Sequence, residues 1–135
     1  MKKLLFVVFV VLMLSLSACG GGAASASTSF EVDMKEFMFE PTDFTVPAGK
    51  EISIQLVNDG AIVHEYVIMK LGKEVSLPFD ENDQENIYWE YEADPGQTIN
   101  VTFTAPSEPG EYQVVCGIPG HLEAGMIGKL IVVKP

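Results

Sequence analysis

The sequence contains no arginine, and its eight lysines are outnumbered by nineteen aspartate and glutamate residues. The formal net charge at pH 7 is therefore −11. Nucleic-acid binding depends on clustered basic side chains that neutralise phosphates, so this composition argues against a nucleic-acid partner. A strongly acidic surface favours a partner with basic docking surfaces, or serves only solubility.

The chain also lacks an apolar run of the length that a permanent transmembrane helix needs. Residues 4–14 form an unbroken apolar run of eleven, whereas a helix that spans a bilayer needs about 20. Lys2 and Lys3 precede this run and small residues follow it, which is the pattern of a secretory signal peptide over residues 1–18. We therefore expect the mature protein to lie outside the cytoplasm.

Residues 16–19, Leu-Ser-Ala-Cys, resemble the bacterial lipobox, in which cleavage leaves a lipid-bearing cysteine at the new N-terminus. We expect Cys19 to be lipidated and to anchor the protein on the periplasmic or cell-surface side of a bacterial membrane. The alternative is ordinary secretory cleavage near Ala18, which leaves Cys19 as a free thiol. Removal of a leader that holds Lys2 and Lys3 and no acid takes the net charge from −11 to −13.

The remaining chain divides into a short tether and one domain. Residues 19–29 are rich in Gly, Ala and Ser and predict a flexible lipidated tether. Residues 30–135 are enough for a single domain with a core of its own.

No stretch of this domain has a convincing helical period. Alternating polar and apolar residues, separated by turn signals, predict short strands instead. They are expected at residues 31–37, 51–56, 63–69, 97–104, 111–115 and 127–133. This pattern is typical of an all-β sandwich or barrel with Greek-key connections.

Residues 72–95 depart from the strand rhythm. Residues 74–94 hold eight acids and no base, interrupted by aromatic and aliphatic side chains. This segment is too aromatic for simple disorder. We interpret it as a surface excursion, with room for a short helix, that packs its aromatic residues onto the sandwich. Its charge is interpreted as a solvated face, with a docking surface as the alternative.

Histidine and cysteine are scarce, yet three metal-binding residue types occur together in one loop. With Cys19 used for lipid, Cys116 has no partner for an intrachain disulfide, and His121 and Met126 follow it at intervals of five residues. The only other histidine, His64, stands at the start of a predicted strand. A trigonal set of two His and one Cys with a weak axial Met is typical of blue-copper electron-transfer sites. We therefore expect one copper ion held by His64, Cys116, His121 and Met126.

Other sites are less consistent with these residues. A dinuclear copper-A centre needs two bridging cysteines, a structural zinc site rarely recruits Met, and a Cys–His hydrolase needs a third group to orient its base. Two alternatives stay open. One is an extracytoplasmic copper chaperone or buffer without an electron-transfer role, and the other is a metal-free adhesion or scaffold sandwich.

The loop at residues 116–126 and the Pro-Gly-Glu-Tyr-Gln lead-in at residues 109–113 resemble those of small blue-copper (type 1) cupredoxins. The loop is most similar to those of the auracyanin, azurin and sulfocyanin group, and the likeness covers residues 30–135. The resemblance implies a cupredoxin fold and a monomeric electron carrier. Such a carrier takes one electron from a redox protein donor to an acceptor, between membrane complexes, without enzymatic turnover.

The same resemblance implies roles for individual residues. His64, Cys116, His121 and Met126 correspond to the copper ligands. The backbone amides of Glu65 and Ile118 correspond to donors to the cysteine sulfur. His121 corresponds to the electron port, within an apolar patch of Ile62, Ile118, Pro119 and Leu122. Many family members have Asn where this chain has Glu65, which puts the usual hydrogen bond between the two ligand loops in question.

Overall fold

The computed structural model describes residues 25–135. The expected signal peptide and Cys19 lie outside these residues. Within them, no helix is long and apolar enough to cross a membrane. Ser29 already belongs to the first strand, and the Ser27 N–H donates to the Thr45 carbonyl at 2.9 Å. The chain therefore contacts the domain slightly before the expected boundary at residue 30.

The described chain forms nine strands and one short 3-10 helix, which confirms the predicted all-β fold. The strands are β1 (Ser29–Lys35), β2 (Met38–Glu40), β3 (Asp43–Pro47), β4 (Glu51–Asn58), β5 (His64–Met69), β6 (Ile87–Ala93), β7 (Thr98–Thr104), β8 (Gly110–Val115) and β9 (Ile127–Val133). The 3-10 helix is Glu81–Asn86.

Two sheets pack face to face. One has the strand order β2-β1-β4-β7, and the other has the order β3-β9-β8-β5-β6. Apolar side chains at alternate positions point between the sheets, as the period of two requires. The fully buried members of this core include Val32, Met34, Val46, Ile52, Ile54, Leu56, Ile68 and Leu130.

Strand β1 pairs in parallel with β4, and this pairing decides which loops meet. Met34, near the end of β1, lies opposite Asn58, the last residue of β4. The loops that follow the two strands therefore emerge at the same end of the sandwich. We call this end, where His64, Cys116 and His121 also lie, the metal end.

The acidic excursion is more regular than the sequence indicates. The prediction missed a strand here, because residues 87–93 form β6, which pairs antiparallel with β5. It also missed the short strands β2 and β3. The rest of the segment covers the outer face of the five-stranded sheet. There Val75, Phe79 and Ile87 pack against a second cluster of buried residues, Val67, Met69, Val115 and Leu122. Its charged 3-10 helix has no buried residues.

Candidate metal centre

Neighbouring strands bring the predicted donors together. His64 is the first residue of β5, and Cys116 directly follows β8, which pairs with β5 through Val67 and Val115. The loop after Cys116 then returns to the sheet as β9. Its two ends are joined because the Cys116 N–H donates to the Met126 carbonyl at 3.1 Å and the Met126 N–H donates to the His121 carbonyl at 3.0 Å.

Three donor atoms converge at the metal end. Nδ1 of His121 lies 3.2 Å from Sγ of Cys116 and 3.2 Å from Nδ1 of His64, and the remaining side of the triangle is 3.9 Å. A point in their plane lies about 2.0 Å from each atom, close to the roughly 2.0–2.3 Å of nitrogen and sulfur bonds to a small divalent metal ion. The three residues present in the structure therefore fit a metal ion without moving apart.

Burial sets the protonation of these groups. His64 and Cys116 have no solvent exposure, and His121 is 5% exposed. Desolvation, the main cause, lowers the pKa of both histidines and raises the pKa of the Cys116 thiol. Both imidazoles are thus neutral and able to donate a lone pair at pH 7. A bound metal ion has to displace the thiol proton.

Two backbone amides approach the sulfur. The Glu65 N–H donates to Sγ of Cys116 at 3.3 Å, and the Ile118 N–H also lies close to this sulfur. These are the two amides that the sequence resemblance assigns to this role. Both bonds lower the pKa of the thiol and oppose part of the desolvation. They would reduce the electron density that a thiolate offers to a metal ion.

Met126 completes the set of buried sulfur and nitrogen donors. Its side chain has no solvent exposure and belongs to the main core. Gly125, with φ of +98°, precedes it in a conformation that residues with a Cβ rarely adopt. This glycine allows the loop to turn back so that the Met126 N–H reaches the His121 carbonyl.

Asn58 organises the loop that presents His64, a role that the sequence analysis missed. The residue is fully buried, and its Nδ2 donates to the carbonyls of Ile62 and Ala93 at 2.9 and 2.8 Å. Its Oδ1 accepts from the Gly60 N–H at 2.9 Å. The signal was present as an Asn-Asp-Gly turn, because Asn side chains readily bond the backbone two residues onward. The contact with Ala93 depends on the tertiary structure.

Glu65 packs its carboxylate over Gly117. A Cβ at Gly117 would lie 2.1 Å from Oε2 of Glu65, so the glycine is required for this packing. Glu90 and Glu92 lie on the neighbouring strand, and Glu92 is the cross-strand partner of Glu65. Burial, with these two charges, raises the pKa of Glu65 to about 6. The Glu65 side chain therefore contacts both the loop that presents His64 and the loop that begins at Cys116, although the residue is not the Asn that many family members have.

The expected apolar patch differs from the observed surface. Ile62 is 41% exposed, Pro119 is exposed and Ile118 is half-buried. Leu122 was placed in the patch by resemblance, but it is buried at 7% exposure, because it packs into the cluster on the outer sheet face. It offers little surface for docking.

Phe37 occupies part of this surface and was not identified from the sequence. It is 40% exposed, and its ring lies edge-on to His121 with centroids 4.9 Å apart. His121 is therefore largely covered rather than open to solvent. No local signal links Phe37 with His121, because the two residues are 84 positions apart in the sequence.

Comparisons with known proteins agree with this geometry. A family model of copper-binding proteins, the plastocyanin/azurin family, matches residues 26–133. Auracyanin-A of Chloroflexus aurantiacus is 30% identical, with 98% of this chain and 97% of the relative covered. The copper-resistant cuproprotein CopI of Rubrivivax gelatinosus is 35% identical, with 83% and 70% covered. The crystal structure of reduced auracyanin from Roseiflexus castenholzii has a TM-score of 0.68 and 31% identity, with 82% and 100% covered.

Proposed function

Because the chain belongs to the plastocyanin/azurin family of copper-binding proteins, we propose that it carries single electrons between membrane redox complexes outside the cytoplasm. Its cofactor is one type 1 copper ion, in keeping with the family and with the His–Cys–His cluster. We propose that His64, Cys116, His121 and Met126 would hold this ion, the first three through their clustered nitrogen and sulfur atoms and Met126 through its thioether. The observation that carries this assignment is the triangle of buried donor atoms with sides of 3.2, 3.2 and 3.9 Å.

The protein contributes a metal site whose geometry changes little when an electron is transferred. Bound copper supplies the Cu(II)/Cu(I) couple, whose two states prefer different coordination. The ligands are held by the sheet and by the two backbone hydrogen bonds that close the loop at Met126. Their burial excludes water, so neither oxidation state gains a solvent ligand. Rigid donors, placed between the coordination preferences of Cu(II) and Cu(I), keep the structural rearrangement of the site small when an electron is transferred.

Electrons are proposed to pass through the covered edge of His121. Phe37 packs against this ring, and Ile62 and Pro119 add exposed apolar surface at the metal end. Weak redox complexes bury small interfaces, which allows rapid dissociation after transfer. The protein acts as a carrier in this proposal and turns over no substrate.

The position of β1 supports presentation from a membrane. From Ser29 to Met34 the strand runs about 16 Å toward the metal end, at roughly 3.3 Å per residue. The residues that precede Ser29 therefore join the domain at the opposite end. If Cys19 carries the lipid, its anchor leaves the metal end free to meet donor and acceptor. A leader over residues 1–18 supports the extracytoplasmic location.

Charge supports a basic partner. Glu65, Glu90 and Glu92 share the outer face of β5 and β6, beside the metal end. Salt should weaken association with a basic partner, because exposed charges are screened over about 10 Å at 0.1 M. An on-rate independent of salt would assign the acidic charge to solubility.

The alternative function is extracytoplasmic copper buffering or delivery. It is supported by the 35% identity to a protein named as a copper-resistant cuproprotein. The two functions differ in the oxidation states that they require. A buffer or chaperone can bind Cu(I) alone and remain colourless, whereas an electron carrier has to bind both states.

An absorption spectrum of the copper-loaded protein, followed by redox titration, tests the proposal. We expect an intense thiolate-to-Cu(II) band and reversible one-electron chemistry, and Cys116→Ser should abolish both. Retention of both in this variant would refute the ligand assignment. A wild-type protein that binds only Cu(I), without colour, would favour buffering.

A further inference from the structure

His64 has a second ring nitrogen that faces away from the other donors and lacks a hydrogen-bond partner. Within residues 25–135, Nε2 of His64 is one of two buried side-chain atoms in this condition. A buried polar atom without a partner destabilises the folded protein, because it has given up its hydrogen bonds to water. Such an atom in a native protein calls for a nearby acceptor or donor.

Glu36 is the charged group nearest to this nitrogen. Its Oε1 lies 3.9 Å from Nε2 of His64, and the Glu36 side chain is 35% exposed. The same Oε1 accepts from the Ala61 N–H at 2.5 Å, and the Ile62 N–H also lies close to the carboxylate. Two amides of the loop before His64 therefore hold the carboxylate beside the imidazole.

Gly60 makes room for this approach. A Cβ at this position would lie 2.6 Å from Oε1 of Glu36 and 2.8 Å from Nε2 of His64. Both distances are shorter than real Cβ contacts, so a side chain at this position would displace the flexible Glu36 carboxylate from its place beside His64. The glycine, the carboxylate and the imidazole thus form one packed arrangement.

The chemistry of the ring requires an acceptor at Nε2. Nδ1 of His64 is the nitrogen directed at Cys116 and His121. If Nδ1 gives its lone pair to a metal ion, the neutral ring carries its proton on Nε2. Metal-binding histidines usually donate this second N–H to a carboxylate, a carbonyl or water, which fixes the tautomer and the ring orientation.

The geometry points to Glu36 as the positioning residue of His64, with its carboxylate accepting the Nε2–H when the site is loaded. This inference rests on the ligand set proposed above. The gap of 3.9 Å exceeds a hydrogen bond by about 1 Å, which a carboxylate rotation or one bridging water closes. The negative charge also favours the more positive Cu(II) state, so Glu36 lowers the reduction potential.

Two substitutions separate hydrogen bonding from charge. Glu36→Gln keeps an oxygen acceptor and removes the charge, whereas Glu36→Ala removes both. Glu123→Gln is the matched control, because Glu123 is an exposed carboxylate close to His121 on the same end of the molecule. The thermal midpoint of each metal-free variant reports any purely structural loss.

The first readout is the His64 Nε2–H signal in ¹H–¹⁵N spectra of Zn(II)-loaded protein, which requires no electron transfer. We expect a slowly exchanging proton in the wild type and in Glu36→Gln, and its loss in Glu36→Ala. Zn(II) affinity should fall about 10–100-fold in Glu36→Ala and be largely rescued in Glu36→Gln.

The second readout is the redox equilibrium of the copper-loaded protein against a mediator of known potential. Glu36→Gln should shift this equilibrium toward Cu(I) by about tenfold, which is 59 mV for one electron. Glu123→Gln should shift it less, because the Glu36 carboxylate acts on both histidines whereas that of Glu123 acts on His121 alone.

Three results would overturn the inference. One is an Nε2–H signal in Glu36→Ala that is as protected as in the wild type. Another is a loss confined to the metal-free thermal midpoint, which would make Glu36 only an anchor for the loop at Ala61. The third is a redox shift in Glu36→Gln no larger than in Glu123→Gln. A wild-type protein without a blue Cu(II) form would instead contradict the proposed function, and the zinc measurements would still test Glu36.

Discussion

Replacement of Glu65 by Gln should stabilise the metal-free protein at neutral pH, although it removes a charge next to the proposed ligand His64. The carboxyl is half-buried against Gly117 and faces two carboxylates on β6. Burial, and then the charges of Glu90 and Glu92, raise its pKa from 4.5 to about 6. Folding therefore favours the protonated form of Glu65.

The sign and size of the effect follow from this pKa. Between about pH 4.5 and 6 the folded protein binds more protons at Glu65 than the unfolded chain, so stability falls as pH rises through this window. A shift of this size corresponds to about 2 kcal/mol at 1.36 kcal/mol per unit. Partial solvent screening reduces our expectation to about 1 kcal/mol. Gln at this position cannot ionise, so the variant does not lose this stability as pH rises.

The assay is urea unfolding of the metal-free wild type and Glu65→Gln at pH values from 4 to 7.5. The free energy of unfolding of the wild type, minus that of the variant, should fall by about 1 kcal/mol across this range. This corresponds to a change of about 0.5 M in the difference between the urea midpoints, for a typical slope near 2 kcal/mol/M. Subtraction removes the contribution of the other titrating groups.

Glu92→Gln is the matched control, because Glu92 lies directly opposite Glu65 on β6. Without this charge the pKa of Glu65 should return part of the way to 4.5, and the fall in stability with pH should shrink. A difference that stays flat, or that rises with pH, would show that the folded protein favours the ionised carboxylate. Our account of the site electrostatics would then be wrong.

Three further predictions concern the metal end. Met126→Gln should keep copper and lower the reduction potential, because the axial ligand tunes it; an unchanged potential in redox titration would argue that Met126 is not axial. Phe37→Ala should leave the absorption spectrum unchanged and slow electron exchange with a protein partner, because it removes exposed apolar surface beside His121; an equal rate would mean that exchange bypasses this surface. Cu(II) affinity, measured against a chelator, should rise about tenfold per pH unit from pH 6.5 to 8.5. The raised pKa of Cys116 keeps its thiol protonated, so binding of the ion has to release one proton. A flat profile would indicate a thiolate in the metal-free protein.

The prediction of the fold succeeded where the pattern is local. Alternation along residues 51–56, 97–104 and 127–133 reflects one buried face, so the strands β4, β7 and β9 were predicted with nearly the observed bounds. The strand β6 was missed because its acidic and aromatic residues lie at the edge of the five-stranded sheet, where only Ala93 is buried. An edge strand carries a weak burial signal in its own sequence.

The residues of the candidate site likewise divide into those that a local pattern reveals and those that it does not. Cys116, His121 and Met126 could be associated from the sequence because a short loop limits how far apart they can lie. His64 could be proposed only because the chain has no other histidine from which to draw a second imidazole. Glu36 and Phe37 escaped notice, since neither has a residue type or spacing that identifies it. Asn58 lies in a recognisable Asn-Asp-Gly turn, but its bond to Ala93 depends on the tertiary structure.

Side-chain chemistry and neighbours within a few residues are enough to predict the strand-forming segments, the acidic charge and the donor types available for a metal ion. Which groups surround the donors depends on how the whole chain folds. The parallel pairing of β1 with β4 carries Glu36 and Phe37 to the metal end, and the pairing of β5 with β8 sets His64 beside Cys116. These contacts join residues from 25 to 84 positions apart, and strand register across such separations follows from the packing of the whole core rather than from any local pattern.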